Sequence, residues 1–233
     1  MQQRLLLNKA GFTLAEVLIT LGIVGIVAAM TLPVLQAKYQ KKIIATQLKT
    51  SYTLIQQIFE RAKADHEDAS YWMQSFDMGT SAFDENIKMF ADTYFLPYVH
   101  GKFVKGTALE IGYSDYVGTL SNPGKKIQTY GTQYIKLSNG PVINITFNNN
   151  GVQFSDILMY VDVNGLKRPN IRGKDIFLFN FSFKTGKVTL YGYDRKRTTL
   201  INNDCGKSEW GDQCCGAIIM LDNWEIKDDY PWI

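Results

Sequence analysis

Glu16 is the only ionisable side chain in an otherwise apolar run from Phe12 to Leu35. A carboxylate held at that depth in lipid is costly unless it finds a partner, which marks the position as functional. Its natural partner is a cation at similar depth, and the intact segment offers none. Breaking the chain between Gly11 and Phe12 creates one, the α-amino group of Phe12. That amine lies one helical turn from Glu16 of its own chain, or meets Glu16 of a packed neighbour. Gly11 presents a bare backbone to a protease, and a cut there leaves the apolar segment on the mature chain. An ordinary secretory signal is cut after its apolar stretch, where Ala28-Ala29-Met30 makes a poor site. The plainer reading is a single-pass anchor whose Glu16 snorkels to the membrane interface.

Other chemistry-bearing residues lie far down the chain. Cys205, Cys214 and Cys215 are the only cysteines, and an exported compartment favours disulfides. Pairing Cys205 with Cys214 closes a loop of about ten residues, worth about 2.5–3 kcal/mol in the chain-entropy model. Cys205 with Cys215 is the runner-up, and the odd thiol is either buried or paired between subunits. Zinc fits poorly, because no C-x-x-C pair exists and neither His66 nor His100 is close in sequence. Asp162-Val163-Asn164-Gly165, continuing through Asn170 and Gly173 to Asp175, alternates oxygen side chains before a glycine. Asp162, Asn164 and Asp175 can supply a calcium shell, although the spacing is not that of an EF-hand. The competing reading is a turn in which Asp and Asn side chains bond their own backbone. Asp194-Arg195-Lys196-Arg197-Thr198 is the sole basic cluster, and such charges more often form a solvated loop than a phosphate contact. No nucleophile motif, phosphate loop or suitably placed histidine is present, so the sequence argues against an enzyme and calls for no cofactor beyond the calcium candidate.

Those residues need elements to hold them. The twenty-four residues from Phe12 to Leu35 make about 36 Å of helix, enough to cross a hydrocarbon core of about 30 Å. Arg4 and Lys9 precede the run and Lys38, Lys41 and Lys42 follow it. The short basic leader favours an inside N-terminus and an exported C-terminal domain. Losing Arg4 and Lys9 with residues 1–11 takes the formal charge from +3 to +1. A nearly neutral chain leaves no electrostatic footprint for nucleic acid. Gly22, Gly25 and Ala29 give a small-residue face for close helix contact, and Pro33 removes one backbone bond.

Beyond Pro33, apolar residues recur at three- and four-residue steps (Ile44, Leu48, Ile55, Ile58), predicting an amphipathic continuation of the helix over 36–64. Residues 65–81 read as a loop, and 83–95 as a helix ended by Pro97. Strand patterns follow at 133–137, 142–147, 157–163, 175–183 and 187–193, with turns at Ser138-Asn139-Gly140 and Thr185-Gly186. The expected organisation is leader 1–11, membrane helix 12–35, helical continuation 36–64 and an α+β domain over 65–233. Its fold class is a helical spine packed on an antiparallel sheet of at least four strands.

The stretch Gly11-Phe12-Thr13-Leu14-Ala15-Glu16-Val17-Leu18-Ile19 resembles the cleavage and methylation motif of type IV prepilins and type II secretion pseudopilins. The resemblance runs from about Asn8 to Pro33, with glycine, phenylalanine, glutamate and proline all in register. It implies cutting after Gly11 by a prepilin peptidase, N-methylation of Phe12, and a role for Glu16 in joining the filament. It implies compliance at Gly22 to Pro33, and a C-terminal disulfide-bounded loop by analogy. It further implies an inner-membrane assembly platform, fellow subunits as partners, and passage from the inner membrane to a pilus or pseudopilus. The exported domain is large for a major subunit, which favours a minor one. The different-class alternative is a monomeric, membrane-anchored binding module in the periplasm.

Overall fold

The computed structural model describes residues 11, 13–72, 83–113, 118–122, 132–149 and 154–232. The chain divides into two compact units, residues 1–41 and 42–233.

In the first unit the secondary structure is the beginning of α1 (Leu14–His66), which continues through Pro33. Its apolar side chains are exposed, Leu14 at 80% and Met30 at 72% among them. It is the one helix among the described residues long and apolar enough to cross a membrane.

In the second unit, the rest of α1 buries Ile44, Ala45, Leu48, Ser51, Ile55, Ile58, Phe59 and Ala62. That spacing is the amphipathic stripe read from the sequence. Lys63 and His66 sit in the last turn, where cations favour the helix dipole. Glu67 then takes a left-handed φ of 66°, which stops the helix. The buried face meets a sheet: Phe59 stacks on Phe181 with ring centroids 4.0 Å apart and planes 18° off parallel. Tyr52 donates its hydroxyl to the Val188 carbonyl at 3.3 Å.

A short α2 (Ala69–Trp72) lies within the stretch read as a loop, and residues 73–82 fall outside the described residues. Trp72 explains α2, because its ring stacks on Tyr94 at 4.1 Å and its indole N–H reaches the His66 carbonyl. The helix expected over 83–95 is α3 (Phe83–Phe90) followed by a π turn, Ala91–Phe95, and a tight turn, Leu96–Tyr98. This turn buries Ala91, Tyr94 and Phe95 together, the three- and four-residue steps that share one helical face.

The strands are β1 (Gly101–Lys105), β2 (Gly118–Thr119), β3 (Gln133–Leu137), β4 (Val142–Asn149), β5 (Phe154–Asp162), β6 (Ile171–Arg172), β7 (Ile176–Ser182) and β8 (Lys187–Leu190). Their order is β1-β3-β4-β5-β7-β6-β2, with β8 also paired to β7. The expected antiparallel sheet of at least four strands is present, and β6 adds short parallel pairings with β2 and β7. The antiparallel body remains β1, β3, β4, β5, β7 and β8, and the fold is α+β with a pilin-like arrangement. The parallel pieces are two residues long, too short for any periodicity to announce them.

The sheet has two buried faces. Ile157, Met159 and Val161 of β5 join the core beneath α1. Leu158 and Tyr160 point to the opposite face with Ile176 and Leu178, as the two-residue alternation of a strand requires. Asp162 therefore emerges on the face away from α1. After β8 come α4 (Arg197–Thr199), a π turn over Leu200–Asp204, a tight turn over Gly211–Cys214, and α5 (Cys215–Leu221).

Candidate functional site

Thr13 and Glu16 build the start of α1 together. The Thr13 backbone N–H and hydroxyl both donate to Glu16 Oε2, at 2.8 and 2.9 Å. The Glu16 N–H returns a bond to Thr13 Oγ1 at 3.2 Å. This is a reciprocal capping box, and its S/T-x-x-E signature stands in the sequence as Thr13-Leu14-Ala15-Glu16. Thr13 was not among the residues expected to act here, although this pattern is its signal in the sequence. The remaining hydroxyls of this segment are satisfied by their own helix, Thr20 on the Glu16 carbonyl and Thr31 on the Val27 carbonyl. Phe12, the expected site of cleavage and methylation, lies outside the described residues. Gly11 is exposed, and a Cβ built at Gly11, Gly22 or Gly25 meets nothing within 4 Å. Among the described residues, nothing therefore requires glycine at 22 and 25 for space. Pro33 is an interior residue of α1.

The 162–175 loop brings Asp162, Asn164 and Asp175 together. The Asn164 N–H donates to Asp162 Oδ1 at 3.3 Å, and its side-chain Nδ2 donates to Asp175 Oδ2 at 3.0 Å. Asp175 also accepts from the backbone N–H of Asn170 at 2.9 Å and of Ile171 at 2.6 Å. These are the backbone-directed bonds of the turn reading. Burial pushes Asp175 up to about 6 against the pull of those donors. Burial pushes Asp162 well above the ordinary carboxylate range, and the Asp175 charge adds to that, while a hydrogen bond from Tyr113 opposes it.

The disulfide joins Cys205 to Cys215, with Cα atoms 5.0 Å apart, and Cys214 is free and buried. The expected Cys205–Cys214 pairing is thereby corrected to the runner-up. Adjacent residues at a helix start point about 100° apart, so only one of the two cysteines can face Cys205. Cys215 does, with its Sγ packed against Gly173, where a Cβ would lie 2.8 Å from the sulfur. Cys214 faces Gly192 instead, and burial pushes its thiol up to about 11. Asp212 lies beside the disulfide, but Ser121 and Gly206 occupy its oxygens and the two cysteines are oxidised.

The basic cluster is largely engaged within the fold. Arg197 forks onto Asp222 at 2.6 and 2.7 Å and onto Asp229 at 2.8 Å, and Arg195 pairs with Asp204 at 3.1 Å. The partners of Arg197 lie 25 and 32 residues along the chain, so no local pattern revealed them.

Residues 6–32 match the prokaryotic N-terminal methylation motif, the hallmark of type IV prepilin- and pseudopilin-type proteins. The chain thus carries the N-terminus of a pilin- or pseudopilin-type precursor. Residues 34–233 match the model described as Family of unknown function (DUF6613), and the chain belongs to that family. No curated protein and no solved structure matches it.

Proposed function

We propose that this chain is a structural, non-catalytic subunit of a type IV pilus or type II secretion pseudopilus. A prepilin peptidase cuts after Gly11, and Phe12 becomes the methylated N-terminus. Residues 12–35 hold the subunit in the inner membrane with the C-terminal domain exported, and the assembly platform then moves that helix into a filament beside other subunits. The observation that supports this most is a methylation motif set on an exposed apolar stretch of α1, residues 14–35, whose sole carboxylate is Glu16. Lipid serves that surface in the monomer, and neighbouring helices serve it in the filament. Glu16 then attracts the Phe12 amine of a neighbour, leaving no unpaired charge in the bundle. Gly22 and Gly25 allow close helix approach, and Pro33 allows the spine to yield. The test is Glu16→Ala. The variant should insert in the membrane at the wild-type level yet leave sheared surface material empty. Normal filament yield from the variant contradicts the role given to Glu16.

A further inference from the structure

We propose that the 162–175 loop is a calcium-class cation site, with Asp162 and Asp175 supplying charge and the Asn164 and Asn170 amide oxygens supplying neutral ligands. This inference is independent of the filament reading.

The argument begins with atoms that lack partners. Asp162 and Asn170 are each only 1% exposed. Asp162 Oδ2, Asn164 Oδ1 and Asn170 Oδ1 have no hydrogen-bond donor. Buried oxygens of this kind carry their full desolvation penalty. They belong to one locality, because Asn164 bonds both carboxyls and the Asn170 N–H bonds Asp175. Two carboxyls so close and so deep resist ionising together unless a cation joins them.

Three further groups surround the two carboxyls. Tyr113 offers a single hydroxyl to Asp162. Lys174 is half-buried and interacts with Asp175, contributing one positive charge. Arg172 lies over the Tyr160 ring, 4.9 Å from its centroid. A proton on Asp162 Oδ2 pairs that oxygen with one amide oxygen and leaves the third without a donor. A cation serves all three at once. The donors are all oxygen, which selects a hard ion. Calcium tolerates irregular geometry and amide ligands, whereas magnesium demands a near-ideal octahedron and retains its waters. The N–H donors on Asp175 preset the loop, and its Oδ1 accepts one bond from Ile171, leaving a lone pair for the ion.

The test uses the full-length protein in detergent, melted in EGTA, in about 1 mM CaCl2 and in about 1 mM MgCl2. Calcium should raise the unfolding midpoint by roughly 5 °C, and magnesium should not. Terbium should give emission sensitised by Tyr113, displaced by calcium and lost in Tyr113→Phe. Asp162→Asn should abolish the calcium shift, and Asn164→Asp should reach it at lower calcium because it adds a charge. An unchanged wild-type midpoint without terbium emission overturns the proposal, whether or not either variant folds. Asp162→Asn, an isostere of the protonated acid, also overturns it if it melts higher than wild type in EGTA while wild type ignores calcium.

Discussion

Arg197 is held by both Asp222 and Asp229, and the bond to Asp222 is bidentate on a carboxylate whose side chain is only 2% exposed. Through it α4 is fastened to the C-terminal tail, which Lys227 also joins by a bond to Asp222 at 2.7 Å. The tail is anchored further by Tyr230, whose hydroxyl donates to the Gly173 carbonyl.

Replacing Arg197 by Ala should destabilise the domain by about 2 kcal/mol at neutral pH, the scale for hydrogen bonds to charged groups. Burial pushes Asp222 up, but bonds from Arg197 and Lys227 outweigh it and leave the carboxyl below its usual range. Hydrogen bonds from Arg197 likewise hold Asp229 low. A depressed folded pKa gives stability that is present above the unfolded value, near 4, and lost as pH falls through the folded one. The gap between wild type and Arg197→Ala should therefore be constant from pH 7 to about 5 and close below about 4. Urea melts at several pH values measure it.

Phe59→Ala removes a ring that is 1% exposed and stacked on Phe181. A loss of about 3–5 kcal/mol is expected. Because Phe59 belongs to the second unit, membrane insertion should be unchanged. Thermal melts and membrane fractionation read the two effects separately.

Peptide mapping under non-reducing conditions should recover Cys205 linked to Cys215. Cys214 should resist alkylation in the folded protein, being buried with its thiol pushed up to about 11, and react on unfolding. Cys214→Ser should keep the disulfide. Cys215→Ser should lose about 2.5–3 kcal/mol unless Cys214 takes its place, which mapping of the variant will reveal.

Thr13→Val deletes the hydroxyl of the capping box, whereas Thr13→Ser preserves it. Filament yield should fall with valine and survive with serine. Equal yields from both leave Thr13 without a role in presenting Glu16.

The sequence was most readable where one physical demand dominated. A lone carboxylate in an apolar run identifies the N-terminal segment, and the three- and four-residue stripe from Ile44 to Ala62 identifies the buried face of α1. Alternation and turn glycines located β3, β4, β5, β7 and β8 within a few residues. β1, Gly101–Lys105, went unread because this edge strand is largely exposed, with Lys102 and Lys105 interrupting its apolar pattern. The choice of Cys215 over Cys214 depended on helix phase at Gly211–Cys214, and the partners of Arg197 on a tail 25 and 32 residues away. Both are tertiary facts with no local signal. Asp162, Asn164 and Asp175 were legible as a group, but the orphaned oxygen on Asn170 required the folded loop.

The most direct test of the filament account is the intact mass and N-terminal peptide of the protein, taken separately from membranes and from sheared surface material. The account predicts a sheared species that begins at Phe12 and carries one added methyl group. A protein found only in membranes, still beginning at Met1, contradicts it.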